Sequence, residues 1–273
     1  MWLKITIWVL ISLAALFVLA VILLYFFQEK LIFFPEKLQE DYKYRFDRQF
    51  TEETFTMPDG VGINALHFTP EKPEGWVFYL HGNAGNLQGW GERAYHFVDN
   101  NYGCTIIDYR GYGKSTGEIT PENILNDPAI IYNEVRERHK NLPFVLYGSS
   151  LGTGIATWLA AEYGSDVLIL ETPYYNLGDV SSQHYPFIPH NLLLRYTMRT
   201  DHFIKKVQSP VYLFHGTKDQ VIYYGSSLKL MEILKPGDRL ITINNGKHSD
   251  LSTYDLYTTE LKKILEETTR NAK

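Results

Sequence analysis

The sequence predicts an α/β fold with a mostly parallel central sheet flanked by helices. Two observations support this prediction. Continuous apolar runs, typical of strands covered on both faces, occupy residues 76–80, 104–107, 144–147, 167–170, 211–214 and 240–243. Segments of helical length, such as 122–139 and 224–234, separate these runs, so strands and helices alternate along the chain. Before them, alternating segments at 52–57 and 61–69 surround a Pro-Asp-Gly turn and predict a β-hairpin.

The N-terminal region is predicted to be a single-pass membrane anchor. After a tail of residues 1–4, residues 5–27 carry no charge and are long enough to cross a bilayer. A signal peptide would have a shorter apolar core with small residues at a cleavage point, and a buried core helix would have a polar face. Residues 28–50 follow as a polar and aromatic connector. The charges beside the helix leave the side of the membrane open.

Composition and missing motifs narrow the possible functions. The net charge of −5 and the pI near 6.0 argue against a nucleic-acid-binding protein. Neither H-E-x-x-H nor C-x-x-C occurs, so a zinc enzyme is not indicated. The stretch RGYGKS resembles the end of a phosphate-binding loop, but Asp108 stands where that loop requires glycine. We therefore expect no metal, no nucleotide and no other cofactor.

The strongest local motif is the pentapeptide Gly148-Ser149-Ser150-Leu151-Gly152. It fits G-x-S-x-G only with Ser150 in the middle, and Ser149 is then a spacer. An apolar run precedes it and a helical pattern follows, which is the context of a sharp strand-to-helix turn that exposes a nucleophilic serine. The two glycines are expected where a Cβ would collide across the turn.

Two later loops offer the partners that a nucleophilic serine needs. Serine attacks only when a base, usually histidine, removes its proton, and a third group must orient that base. Asp219 and His248 each follow one of the last two apolar runs, so both are expected beside Ser150 at the carboxyl edge of the sheet. Glu171 is the alternative acid. Asp250 is expected to be the N-cap of the last helix.

Together, five motif blocks resemble the α/β-hydrolase-fold serine hydrolases, in particular a membrane-anchored subgroup. The blocks are HGNAGN, DYRGYGKS, GSSLGTG, HGTKD and GKHSDL. The resemblance covers nearly all of the chain beyond the anchor. It implies a catalytic domain over residues 51–270. The irregular segment 173–202 lies between two apolar runs of this domain, and because a loop of that length is usually a lid or binding element, a lid insertion is expected there. The resemblance also implies a triad of Ser150, Asp219 and His248, because nucleophile, acid and histidine follow one another in this order in the family.

An oxyanion hole completes the expected site. Attack on an acyl carbon puts negative charge on the carbonyl oxygen, which two backbone N–H groups usually bind. One is expected at Leu151, directly after the nucleophile, and the resemblance implies Asn83 in the HGNAGN block as the other. His81 and His215, also at strand ends, are expected to be structural and remain the main rivals of His248.

We therefore expect a membrane-anchored serine hydrolase that cleaves carboxylic esters or thioesters of small molecules or lipids. Aromatic and aliphatic residues of the 173–202 segment suggest an apolar acyl group: Tyr174, Tyr175, Tyr185, Phe187 and Ile188. Two alternatives stay open. One is a serine aminopeptidase on the same fold, although no pocket for a peptide amine is identifiable. The other is a noncatalytic binding protein, because fold does not determine function.

Overall fold

An eight-stranded mixed sheet is the centre of the computed structural model, which describes residues 2–186, 188 and 190–272. Its strands are β1 (Phe50–Thr56), β2 (Gly62–Phe68), β3 (Gly75–Leu80), β4 (Tyr102–Ile107), β5 (Phe144–Ser149), β6 (Val167–Glu171), β7 (Val211–Gly216) and β8 (Arg239–Ile243). Their spatial order is β8-β7-β6-β5-β3-β4-β2-β1. Strand β2 is antiparallel to both neighbours, and the other pairs are parallel. The predicted α/β fold with its opening hairpin is confirmed.

Helices cover both faces of this sheet, and α1 lies apart from it. They are α1 (Trp2–Phe27), α2 (Glu29–Ile32), α3 (Leu87–Trp90), α4 (Tyr95–Val98), α5 (Asn123–Arg138), α6 (Leu151–Tyr163), α7 (Leu177–His184), α8 (His190–Leu193), α9 (Thr200–Phe203), α10 (Gly225–Met231) and α11 (Asp255–Ala272). Short 3₁₀ turns occupy Gly91–Ala94, Ile204–Lys206 and Leu251–Thr253.

The core is divided by the sheet into two apolar clusters. Along β3, Trp76, Phe78 and Leu80 belong to the cluster that contains α5 and α6, whereas Val77 and Tyr79 belong to the cluster that contains α4 and α11. Successive side chains of a strand point to opposite faces, so a continuous apolar run is what a strand between two helical layers requires. This arrangement leaves the carboxyl edge of the parallel strands for the loops of the site.

Helix α1 lies outside both clusters. None of its residues is buried, and it is long and apolar enough to cross a membrane. The chain that follows α1 packs against the sheet and its helices, since Phe33 and Tyr44 are buried. In addition, Phe34–Pro35 pairs in parallel with Ala84–Gly85, so this chain lies against the loop that contains Asn83.

The 173–202 segment is more regular than the sequence suggested. It contains α7, α8 and α9, although we expected an irregular stretch. The side chain of Asn176 accepts a hydrogen bond from Asp179 N at 2.8 Å, so α7 begins with a regular N-cap. This capping pattern was present in the sequence and was missed. Phe187, one of the residues expected to contact an acyl group, lies outside the described residues.

Candidate active site

Ser150 lies in the sharp turn between β5 and α6. Its backbone has φ 51° and ψ −116°, a conformation that side chains rarely adopt. A Cβ on Gly148 would overlap the backbone of Gly152, and one on Gly152 would overlap the carbonyl of Leu80. Both glycines are therefore required by close packing across the turn. Ser149 ends β5, is buried, and does not line the cavity beside Ser150.

Three of the residues selected from the sequence meet at this turn. His248 Nε2 lies 3.0 Å from Ser150 Oγ, and His248 Nδ1 lies 2.8 Å from Asp219 Oδ2. With Nδ1–H donated to the carboxylate, Nε2 is free to accept the serine proton. The two partners come from the loops after β7 and β8, which are neighbouring parallel strands. The arrangement can activate a hydroxyl nucleophile.

Asp219 is held in place by several donors. Its Oδ1 accepts hydrogen bonds from Val221 N at 2.8 Å and Ile222 N at 2.9 Å, and its Oδ2 lies 3.3 Å from His215 Nε2. Burial raises the pKa of this carboxyl, but the hydrogen bonds from His215 and His248 and the attraction to His248 outweigh burial and lower it well below its usual range. Asp219 is consequently ionised wherever an imidazole base can act.

His215 has a closer relation to the site than expected. The residue is fully buried; its Nδ1 lies 2.7 Å from Ser227 Oγ, and its Nε2 lies 2.9 Å from Ile222 O. Because Ile222 O can only accept, Nε2 carries the proton and also points toward Asp219. His215 therefore braces the acid, and it does not contact Ser150. The four-residue spacing in HGTKD was the available signal for this contact.

His81 forms a separate, closed pair with Asp108. Its Nε2 lies 3.2 Å from Asp108 Oδ1, and its Nδ1 lies 2.7 Å from Gly82 O. Neither side chain has any exposed surface. Burial raises the pKa of Asp108, even though His81 and Leu87 N oppose this effect. Nδ1 of His81 is thus hydrogen-bonded to Gly82 O, whereas Nε2 faces Asp108 at ion-pair distance without hydrogen-bond geometry.

The remaining acidic candidates lie elsewhere. The carboxylate of Glu171 accepts hydrogen bonds from Tyr147 and Tyr257. Both tyrosines belong to the cluster that contains α4 and α11, so Glu171 is directed to that face of the sheet. The expected N-cap role of Asp250 is wrong, because a 3₁₀ turn lies between it and α11. Its Oδ1 instead accepts from Lys247 N at 2.6 Å, which shapes the loop that carries His248.

The two expected oxyanion donors, Asn83 and Leu151, line the same cavity as Ser150. Leu151 is the first residue of α6, where a backbone N–H has no intrahelical acceptor. Asn83 is held from the connector side: its Nδ2 donates to Ile32 O at 3.0 Å, and its carbonyl accepts from Phe34 N at 2.8 Å. No pattern in the sequence indicated this support.

The cavity beside Ser150 has a volume of about 520 Å³, within the usual range of ligand pockets. Most of its lining is apolar, and no carboxylate is among the described residues that line it. Tyr174, Tyr185 and Ile188 belong to the lining, as expected, whereas Tyr175 packs against the core cluster on the α5 and α6 side. Residues from α1 and α2 also line it: Leu24, Gln28, Leu31 and Ile32. The sequence analysis did not anticipate this contribution.

An eight-stranded α/β sheet with a strained serine elbow and a neighbouring histidine–aspartate pair is the arrangement of the α/β-hydrolase-fold serine hydrolases. Comparison with known proteins agrees with this assignment. Residues 71–190 match the family model described as serine aminopeptidase, S33. The chain belongs to this family of α/β-hydrolase-fold serine hydrolases.

Two relatives show the extent of the similarity. The uncharacterized protein YfhR of Salmonella typhi is 30% identical over 217 residues, which are 72% of this chain and 74% of that protein. The lysophosphatidylserine lipase ABHD12 of Xenopus tropicalis is 29% identical over 188 residues, which are 60% of this chain and 48% of that protein. The second match therefore covers about half of the lipase.

Solved structures support the same fold. The esterase Pf2001 of Pyrococcus furiosus superposes with a TM-score of 0.68 at 14% identity, covering 86% of this chain and 99% of that one. The ferulic acid complex of Est1E from Butyrivibrio proteoclasticus gives a TM-score of 0.67 at 20% identity, covering 79% of this chain and 98% of that one. At these identities the likeness concerns the fold alone.

Proposed function

We propose that this chain is a membrane-anchored serine hydrolase that cleaves carboxylic esters or thioesters of apolar acyl groups through an acyl-enzyme. The observation that carries the proposal is the continuous contact from Asp219 through His248 to Ser150 beside a largely apolar cavity. The esterase and lipase names among similar proteins support ester chemistry. In this proposal residues 5–27 are the anchor and residues 51–270 the catalytic domain, with 173–202 as its lid.

The first half of the reaction acylates the serine. His248 Nε2 takes the proton of Ser150 as Oγ forms a bond to the acyl carbon, and Asp219 stabilises the resulting imidazolium. The carbonyl oxygen gains the negative charge and accepts hydrogen bonds from the N–H groups of Leu151 and Asn83. When the tetrahedral intermediate collapses, His248 gives its proton to the departing alcohol or thiol.

The second half repeats these steps with water. His248 removes a proton from water, the oxygen attacks the acyl carbon, and the same two N–H groups bind the second oxyanion. Collapse breaks the bond to Ser150 Oγ, which recovers its proton from His248. A carboxylic acid leaves, and the site returns to its starting state without a cofactor.

A peptidase reaction is the alternative that the family description supports. An aminopeptidase must hold a charged amine near the scissile bond, and a carboxylate is the usual partner. The described lining of the cavity offers none, while its aliphatic residues suit an acyl chain. Ester or thioester cleavage is therefore the preferred assignment.

Paired serine variants test the proposal. The full chain should react with a fluorophosphonate and hydrolyse p-nitrophenyl butyrate, and Ser150→Ala should abolish both activities. Ser149→Ala is the matched control, because it removes a hydroxyl one residue away that does not line the cavity. Rapid hydrolysis of aminoacyl p-nitroanilides but not of esters would favour the aminopeptidase, and labelling of Ser150→Ala would overturn the nucleophile assignment.

The anchor is tested separately. Full-length protein should remain in the membrane fraction during a carbonate wash, because a spanning helix is not released by alkaline extraction. A chain lacking residues 1–27 should still hydrolyse p-nitrophenyl butyrate, since no residue of the proposed catalytic set lies in that segment. Release of the full chain by carbonate would contradict the spanning assignment.

A further inference from the structure

The cavity beside Ser150 extends to the membrane-anchor helix. One part of its lining consists of Ser150, Leu151 and Asn83, and another part is Leu24, in the last turn of α1. Leu24 is partly buried, although its neighbour Leu23 is 48% exposed and does not line the cavity. A single continuous space therefore joins the reacting hydroxyl to one face of α1.

The end of α1 is attached to the 173–202 segment through Gln28. This side chain is buried, its Nε2 donates to Leu193 O at 3.1 Å, and its Oε1 accepts from Arg195 N at 2.8 Å. The ion pair between Glu29 and Arg195, at 2.6 Å, lies directly beside it. These contacts keep the last turn of α1 against the segment and make Leu24 a defined part of the cavity wall.

The same contacts define the depth of this wall relative to a bilayer. The apolar sequence of α1 ends at Phe27, and Gln28, Glu29 and Lys30 follow. Leu24 is three residues before that end, about 5 Å along the helix axis at ~1.5 Å per residue. Leu31, which also lines the cavity, is 54% exposed. If α1 spans the bilayer, the cavity meets it at the boundary between hydrocarbon and headgroups.

We propose that α1 is part of the acyl-binding site as well as an anchor. The substrate is a long-chain acyl ester or thioester that resides in the bilayer, and its chain enters the cavity from the leaflet beside the end of α1. Leu24 contacts the part of the chain remote from the carbonyl group, so α1 contributes to the choice of chain length. This inference rests on the proposed hydrolase function and deepens it.

The apolar lining explains why such a substrate is favoured. Transfer of a chain between bilayer and cavity exchanges one apolar environment for another, so it avoids exposing the chain to water. In this proposal a short acyl group lies in the part of the cavity near Ser150 and makes no contact with Leu24. Chain-length dependence therefore separates a contribution of α1 from the chemistry at the serine.

The test uses full-length protein in phosphatidylcholine vesicles with p-nitrophenyl butyrate and p-nitrophenyl palmitate. The measured quantity is the ratio of kcat/KM for palmitate to that for butyrate. Leu24→Trp should lower this ratio at least tenfold, because the indole fills the wall of the cavity. Leu23→Trp is the matched control: it makes the same substitution one residue away on an exposed face and should keep the ratio of the parent.

Two outcomes would overturn the inference. One is a ratio for Leu24→Trp that stays at the parent's value, and the other is an equal fall in Leu24→Trp and Leu23→Trp. Fluorophosphonate labelling of each variant shows that the site is folded. Failure of the hydrolase proposal is distinguishable, since it would appear as butyrate hydrolysis that survives Ser150→Ala, whatever the ratio for Leu24→Trp.

Discussion

Among the described residues, two histidine–aspartate pairs join the ends of adjacent strands, through Nε2 of His81 in one pair and Nδ1 of His248 in the other. His81 and Asp108 follow the adjacent strands β3 and β4, and His248 and Asp219 follow the adjacent strands β8 and β7. The first pair is closed, because neither side chain has exposed surface and the second ring nitrogen of His81 faces Gly82 O. The second pair is open, since the His248 side chain is 18% exposed and its second nitrogen faces Ser150. A ring nitrogen that faces the hydroxyl of a cavity-lining serine distinguishes the candidate site.

The carboxyl pKa values of Asp108 and Asp219 also differ between the closed pair and the open pair. Burial raises the pKa of both carboxyls, but only Asp219 has enough donors to reverse the effect, through His215, His248 and Ile222 N. Asp108 has His81 and Leu87 N, and burial prevails. The two pKa values are therefore shifted in opposite directions, because Asp219 accepts from more donors and is less completely buried than Asp108.

The largest expected effect comes from breaking the open pair. Asp219→Asn should lower kcat for p-nitrophenyl butyrate on the order of 10⁴-fold, because an amide holds the wrong histidine tautomer. Asp108→Asn is the matched substitution in the closed pair and should affect kcat far less. A larger loss of kcat in folded Asp108→Asn than in Asp219→Asn would show that the roles of the pairs are reversed.

Patterns in the sequence identified His81 and His248 as candidate bases, but the choice of His248 over His81 depended on the family resemblance. The apolar runs show that His81, His215 and His248 all lie at strand ends, since each run stops at one edge of the sheet. Which ring nitrogen stays free depends on packing by distant segments, and no local pattern encodes it. The G-x-S-x-G elbow was predictable because its steric requirement is local.

The contribution of α1 to the cavity was unpredictable for a similar reason. Gln28 and Leu193 are separated by 165 positions, and their hydrogen bond depends on how the 173–202 segment folds over the site. That segment was misjudged as irregular although Asn176 carries an N-cap signal. Periodicity identified the elements of the sheet, whereas the cavity wall contributed by the 173–202 segment is built from short helices with little periodicity.

The second expected effect concerns stability and the closed pair. Asp108→Ala removes the carboxyl that faces fully buried His81 and accepts from Leu87 N, and a buried polar group left without its partner costs about 1–3 kcal/mol of unfolding free energy. Asp219→Ala should cost more at neutral pH, because it removes an ionised carboxylate that faces His215 and His248 and accepts from Val221 N and Ile222 N. Urea unfolding in detergent measures the loss of unfolding free energy in each variant. A larger loss in Asp108→Ala than in Asp219→Ala would contradict the different environments described for the two acids.

The third effect is smaller and tests the support of Asp219. His215→Leu should lower kcat about tenfold with little change in KM, because losing one hydrogen bond to a charged acceptor corresponds to ~1.4 kcal/mol. His215→Gln retains an N–H donor and should recover most of kcat. Equal losses of kcat in the Leu and Gln variants would mean that His215 acts only through packing.

The smallest expected effect is that Asp219 and Asp108 make the stability of the fold depend on pH with opposite signs. The folded pKa of Asp219 lies below the unfolded value of about 3.9, so the unfolded chain binds more protons between these values. Asp219 thus contributes stability that is present above about pH 4 and is lost as pH falls toward its folded pKa. The folded pKa of Asp108 lies above the unfolded value, so its contribution is favourable below about pH 4 and is lost as pH rises through the folded pKa.

Thermal unfolding of the parent, Asp219→Asn and Asp108→Asn between pH 2.5 and 6 measures these contributions. The Tm difference between parent and Asp219→Asn should grow as pH rises toward 4, because the asparagine cannot ionise. The difference between parent and Asp108→Asn should instead shrink as pH rises beyond 4. Each unit of pKa difference corresponds to ~1.4 kcal/mol, so the two trends are measurable. Trends of the same sign would mean that both acids experience the same balance of burial and hydrogen bonding, and the contrast between the pairs would then reduce to the exposure of His248 alone.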